Sequence, residues 1–194
     1  AEGLNLIYDR LATRAWDEPF TLYPLIAKEL ETGPDRKRLD VKLREDAQFQ
    51  NGEAILAEDV KFSWRTLRDH GRPNMRRIYK HVKSADIKGK RHITFTFKNS
   101  SNAETVMIVA MMPVLAKDWW QGRDFDASLG EMPVTSGPYK VSAFERGRRI
   151  VYKRNTDYWA ADHLKRIGHH NFDRIVYHYF RDKSVAFEAF KAGE

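Results

Sequence analysis

The sequence predicts a mixed α/β chain, on three observations. Leu39, Val41 and Leu43 alternate with Asp40, Lys42 and Arg44, the two-residue period of a half-buried strand. Ile93-Thr94-Phe95-Thr96-Phe97 alternates in the same way. Val60, Trp64 and Leu67 recur at i, i+4 and i+7, the spacing of an amphipathic helix. Strand and helix patterns follow one another along the chain, with no internal repeat.

In chain order, Leu4, Ile7, Tyr8 and Leu11 form an apolar stripe that predicts a short helix over Leu4 to Leu11. Pro19 and Pro24 break the chain into a loop. Leu25 to Glu31 reads either as a turn of helix or as a lead into a strand. Gly33-Pro34-Asp35 is a turn signal before the strand at Leu39 to Leu43. Asn51-Gly52 suits a tight turn, because both residues tolerate positive φ. The helix Ala57 to Asp69 carries Glu58 and Asp59 in its first turn, where the macrodipole favours carboxylates. Gly71, Pro73 and Asn74 end it and open a loop. Val82 to Ile87 reads as a strand that turns at Gly89 to pair with Ile93 to Phe97. Glu104 to Met112 reads as a helix ending before Pro113. Thr135-Ser136-Gly137-Pro138 reads as a turn before a strand over Tyr139 to Phe144, which returns through a hairpin at Gly147 into Ile150 to Arg154. Asp173 to Phe180 has apolar residues on both faces, so an interior strand is expected. Lys183 to Lys191 is expected to be a helix with Val185, Ala186, Ala189 and Phe190 as a buried stripe and Gly193 as its stop.

The 194 residues include 34 Lys plus Arg against 27 Asp plus Glu, a net charge of +7, and no Cys. Disulfides, thiol catalysis and Cys-ligated zinc are therefore excluded. A hydrophobic share of 42% with 12% aromatic residues excludes a disordered chain. The longest apolar stretch, Val106 to Leu115 with Pro113 inside it, falls well short of the roughly 20 residues that cross a bilayer. Ala1-Glu2-Gly3-Leu4 has no basic region followed by an apolar core, so it does not read as a signal peptide.

Little chemistry beyond binding is supported. Of seven histidines only His163, His169 and His170 lie close in sequence, without HExxH spacing, so no metal is expected. Ser136 in Thr-Ser-Gly-Pro-Tyr is outside the G-x-S-x-G elbow. Glu58 and Asp59 are neighbours on a helix start and point apart, which suits capping and not an acid/base pair. No glycine array resembles a nucleotide-binding loop. Arg72, Arg76, Arg77, Lys80 and Lys83 form a basic run carrying Tyr79, and Arg146, Arg148 and Arg149 crowd a hairpin tip. Such clusters usually mark solvated surface and otherwise suit nucleic acid or another anion. Adjacent Trp119 and Trp120 cannot both face one core across a strand, so one is a candidate to line a cleft or a domain junction.

Several segments together carry a family resemblance. Leu43 to Trp64, LREDAQFQNGEAILAEDVKFSW, resembles a block of the family 5 extracellular solute-binding proteins, the peptide, dipeptide and nickel binders of ABC importers. Tyr8-Asp9-Arg10-Leu11, Ser136-Gly137-Pro138-Tyr139, Arg154-Asn155-Thr156-Asp157-Tyr158-Trp159 and Ala189 to Glu194 are similar to further blocks in the same order. Trp119 to Asp126 and Asn171 to Ile175 resemble the subgroup linked to oligopeptide and microcin C uptake. One departure is Leu56, where the family usually places a capping Thr. Leucine cannot accept an N–H bond, at a cost of ~1 kcal/mol.

The resemblance implies a type II periplasmic-binding-protein-like lobe, incomplete because family members are much longer. Residues 1–129 would form its smaller subdomain and 130–194 part of its main α/β subdomain, the second lobe being absent. It implies a periplasmic or extracellular, membrane-associated protein that grips a peptide or peptide-like solute between two lobes and hands it to a membrane permease. No cofactor, enzymatic activity or nucleic-acid partner is expected from it. The alternative is a basic nucleic-acid- or anion-binding module. Candidate ligand contacts on this half of the cleft are Met75, Arg76 and Tyr79 in the loop after Pro73, then Trp119 and Trp120, and Thr135 and Ser136 beside the Gly-Pro-Tyr turn.

Overall fold

The computed structural model describes residues 2–99, 102–127 and 130–193. A one-turn helix α1 (Leu4–Ile7) precedes a small hairpin, β1 (Ala12–Arg14) and β2 (Leu22–Pro24), and then strands β3 (Ala27–Thr32) and β4 (Arg38–Leu43). Helices α2 (Ala57–His70) and α3 (Pro73–Tyr79) lead into strands β5 (Val82–Gly89) and β6 (His92–Phe97). Two helices follow, α4 (Ala103–Ala110) and α5 (Lys117–Trp120). The last elements are β7 (Tyr139–Glu145), β8 (Arg149–Arg154), β9 (Arg174–His178) and α6 (Lys183–Lys191).

Two antiparallel sheets organise these elements, one in the order β3-β4-β6-β5 and one in the order β7-β8-β9. In the first, Leu39 opposes Phe95 and Val41 opposes Ile93, so the apolar sets of β4 and β6 share one face. Asp40 and Thr94 meet on the other face, where the Thr94 hydroxyl donates to the carboxylate at 2.6 Å. Helix α2 lays Val60, Trp64 and Leu67 on the apolar face, with the Trp64 ring edge-on to Phe95 at 6.5 Å. Burying each such side chain contributes about 1.5–3 kcal/mol. This main core runs from Leu11 to Trp120. A second core, Ile7, Tyr139, Ile150 and Tyr152, lies on the three-stranded sheet. The N-terminal segment therefore crosses between the two.

Helix α2 starts without a side-chain acceptor on Leu56; the Asp59 carboxylate reaches back to accept the Leu56 N–H at 2.8 Å. Its other oxygen accepts the Lys117 N–H at 2.9 Å, which seats α5 against the helix start. Ser63 Oγ accepts the Leu115 N–H at 2.7 Å and fixes the approach to α5.

Several expectations are corrected. The helix over Leu4 to Leu11 ends at Ile7, because Asp9 to Leu11 spend their backbone groups on distant segments: Val114 donates to Asp9 O, Ile26 to Arg10 O, and Leu11 to Met112 O. Leu25 to Glu31 resolves in favour of a strand. The loop after Pro73 is helix α3, since proline at its start is preorganised for a first helical turn. Thr135 and Ser136 run as irregular chain tied to the core, outside any turn. Strand β9 is the edge of its sheet. Helix α6 is capped by Asp182, which accepts from the Val185 N–H, but buries none of its expected stripe: Val185 is 49% exposed and Phe190 75%. A helical period identifies the apolar face of α6, whereas burial depends on a neighbour that no described residue supplies. The boundary expected at Leu129 falls on residues outside those described, as does Glu194.

Candidate functional site

The sequence candidates divide into surface and interior. Tyr79 is buried in the main core, with its carbonyl accepting the Trp64 indole N–H at 3.3 Å. Desolvation pushes its phenol up to about 12, against the pull of the nearby Arg10 guanidinium. Met75 is half-buried on the same face of α3, and Arg76 is exposed on the outer one. Trp120 is buried and Trp119 half-buried, their rings edge-to-face at 4.8 Å on α5. The Arg123 guanidinium stacks 4.4 Å over the Trp119 ring, so one face of that ring is already occupied. Both α3 and α5 pack on α2, one near each of its ends.

Thr135 and Ser136 are buried and engaged. The Thr135 carbonyl accepts the Gln50 N–H at 2.7 Å, and the Ser136 and Gly137 N–H groups donate to Ile7 O at 3.1 and 2.8 Å. Ser136 Oγ accepts the Asp9 N–H at 3.0 Å. Gly137 has a steric reason: a Cβ there would stand 2.5 Å from the Ile7 carbonyl carbon and 2.6 Å from Leu6 O. Of the sequence candidates, Met75, Arg76 and Trp119 reach the surface.

The polar centre that sequence reasoning did not assemble lies around Asp9, which is 2% exposed. Its Oδ1 accepts from Tyr158 Oη at 3.0 Å and Arg166 Nη2 at 3.2 Å, and its Oδ2 from Trp159 Nε1 at 2.9 Å. Burial pushes the carboxyl up to about 6, while Arg166, Tyr158 and Trp159 pull it back. The Tyr158 phenol is raised by desolvation and by the Asp9 charge. Arg166 also points Nη1 at His170 Nε2, 3.3 Å away. A guanidinium can only donate, so His170 accepts as neutral imidazole, and burial beside Arg166 holds it down to about 4. This centre is a strut joining the Tyr8-Asp9 segment to the Tyr158-Trp159 segment. The signal for it was present in those two segments, but their contact was not.

Two open hollows, of about 370 Å³ over β8 near Arg149 and Lys153 and about 730 Å³ between Leu56 and Arg91, include none of the sequence candidates. Among the described residues no group of three His, Asp or Glu side chains could hold a metal. No helix there is long and apolar enough to cross a membrane.

The family model described as bacterial extracellular solute-binding proteins, family 5 Middle, matches residues 21–194. A putative binding protein of Brucella melitensis biotype 1 is 39% identical over 190 residues, covering 97% of this chain and 31% of its own length. The probable peptide-binding protein YejA of Agrobacterium fabrum is 36% identical over 200 residues, covering 100% of this chain and 32% of its own length. Among solved structures, the oligopeptide-binding protein AppA of Bacillus subtilis, in complex with a nonapeptide, aligns at a TM-score of 0.77 and 21% identity, over 97% of this chain and 37% of that one. The fold is thus that of a type II periplasmic-binding-protein lobe, and the chain spans about a third of the length of these curated relatives.

Proposed function

The chain belongs to the bacterial extracellular solute-binding proteins of family 5, and on that footing we propose that it forms part of the substrate-binding component of an ABC importer that takes up peptides or peptide-like solutes. The observation that carries this reading is the 36% identity to a probable peptide-binding protein over the whole of this chain. The protein works in the periplasm or at the outer face of the membrane and passes its cargo to a permease, without catalysis. The division into a smaller subdomain up to residue 129 and a main α/β part after it is proposed on the same footing, with Ile7 belonging to the second core.

In this reading the cargo lies between this lobe and a facing one, held extended through backbone hydrogen bonds that leave side-chain identity free. Met75, Arg76 and Trp119 meet it, while Tyr79 and Trp120 back those side chains from the core. Thr135 acts through its carbonyl contact with the Gln50 N–H, and Ser136 through the Ile7 and Asp9 contacts that hold the lobe's two cores in register. Native mass spectrometry of the complete protein, purified from its own cells, tests the reading. A co-purified peptide is expected. A homogeneous non-peptide cargo would overturn the substrate class. Arg76→Ala and Trp119→Ala are each expected to weaken peptide binding about tenfold, and unchanged affinity in both would remove these residues from the site.

A further inference from the structure

The cations on and around α3 form no ion pairs among the described residues. No Asp or Glu occurs between Asp69 and Asp86. Asp69 is taken by Arg68, and His70 faces Asp126. Arg10, Arg72, Arg76, Arg77 and Lys80 make no ion pair with any described residue. All five are exposed.

Helix physics accounts for only part of this arrangement. Met75, Ile78 and Tyr79 face the core, which turns Arg76, Arg77 and Lys80 outward. Cations in the last turn are favoured by the helix dipole. Arg72, however, is at the N-cap, the positive end, and the first turn carries no acid to offset it. Arg10 arrives from a distant segment, close enough for its charge to act on Tyr79. The outer side of α3 thus carries positive charge that no described carboxylate pairs with, at Arg72 against local electrostatics.

Resting on the peptide-binding reading above, we propose that Arg72, Arg76, Arg77 and Lys80 form an anion-selecting wall, and that the cargo is an acidic peptide or a peptide-like solute rich in carboxylates. Guanidinium groups suit carboxylates because their planar forks can donate two parallel hydrogen bonds. Long-range attraction from the unpaired cations also speeds capture of anionic solutes and disfavours cationic ones.

The test is calorimetric titration of the complete protein with three matched pentapeptides, Ala-Glu-Ala-Glu-Ala, Ala-Gln-Ala-Gln-Ala and Ala-Lys-Ala-Lys-Ala. The acidic peptide is expected to bind at least about tenfold more tightly than the neutral one, with the gap narrowing as salt rises. The double variant Arg76→Gln/Arg77→Gln should lose most of that preference while keeping its melting temperature. Equal binding of the acidic and neutral peptides overturns the anionic wall and leaves the peptide-binding reading standing. Binding of none of the three sinks both. A double variant that melts earlier but keeps the preference also overturns the proposal, because the cations then pair with another part of the polypeptide. If that variant does not fold, the salt dependence of the unaltered protein decides: a preference insensitive to salt contradicts the wall.

Discussion

Asp9 and Trp159 stand 150 residues apart and are joined by a 2.9 Å hydrogen bond from the indole N–H to a carboxylate that solvent does not reach. Tyr158 and Arg166 complete the set of donors. The carboxylate can only accept, so the three donors satisfy a charge that would otherwise be prohibitive in the interior.

Asp9→Asn should destabilise the chain by about 1–3 kcal/mol, because its amide NH2 replaces one acceptor oxygen and leaves a buried donor among Tyr158, Trp159 and Arg166 unsatisfied. Denaturant unfolding measures the loss. A change below about 1 kcal/mol would mean the strut is not a structural element.

Gly137→Ala should cost about 1–3 kcal/mol, since the added methyl meets the backbone of Leu6 and Ile7 with no flexible side chain to yield. Gly89→Ala is the control, because a Cβ there meets nothing within 4 Å. Thermal melts of the two variants should differ clearly, with only the first lowered.

The strut contains two groups whose pH effects oppose each other. His170 is held down to about 4, so the unfolded chain takes up its proton first and stability falls as pH drops from about 6.5 toward 4. Asp9 is pushed up to about 6, so the folded chain takes up its proton first and stability rises as pH drops from about 6 toward the ordinary carboxylate range. His170→Gln removes the first effect alone. Its unfolding free energy, relative to the unaltered chain, should improve as pH falls between 6.5 and 4, and a constant difference would contradict the assignment.

The bare apolar face of α6 predicts self-association of the 194-residue chain. Sedimentation velocity should show dimers or larger species that Phe187→Ser/Phe190→Ser shifts toward monomer. In the complete protein the same double variant should lower the melting temperature, because a cavity then forms where these rings are covered.

The parts of the fold legible in the sequence were those whose period is local. The alternation of Leu39, Val41 and Leu43 and the spacing of Val60, Trp64 and Leu67 reflect one face of one element, and burial follows them. Where a residue's environment comes from far along the chain, the sequence said less. Tyr79 reads as a loop aromatic, yet α3 turns it into the core against Trp64. Phe190 reads as buried, yet nothing among the described residues covers it. Asp9 reads as one member of a short segment, and only the fold brings Tyr158, Trp159 and Arg166 around it.

On the proposed reading, this lobe grips its cargo only together with a facing one. Calorimetry of the 194-residue chain beside the complete protein, titrated with the same mixture of random pentapeptides, tests it most directly. The account predicts binding by the complete protein and at least about hundredfold weaker binding by the chain alone, since half of the desolvating contacts are missing. Equal affinity in the two would contradict it.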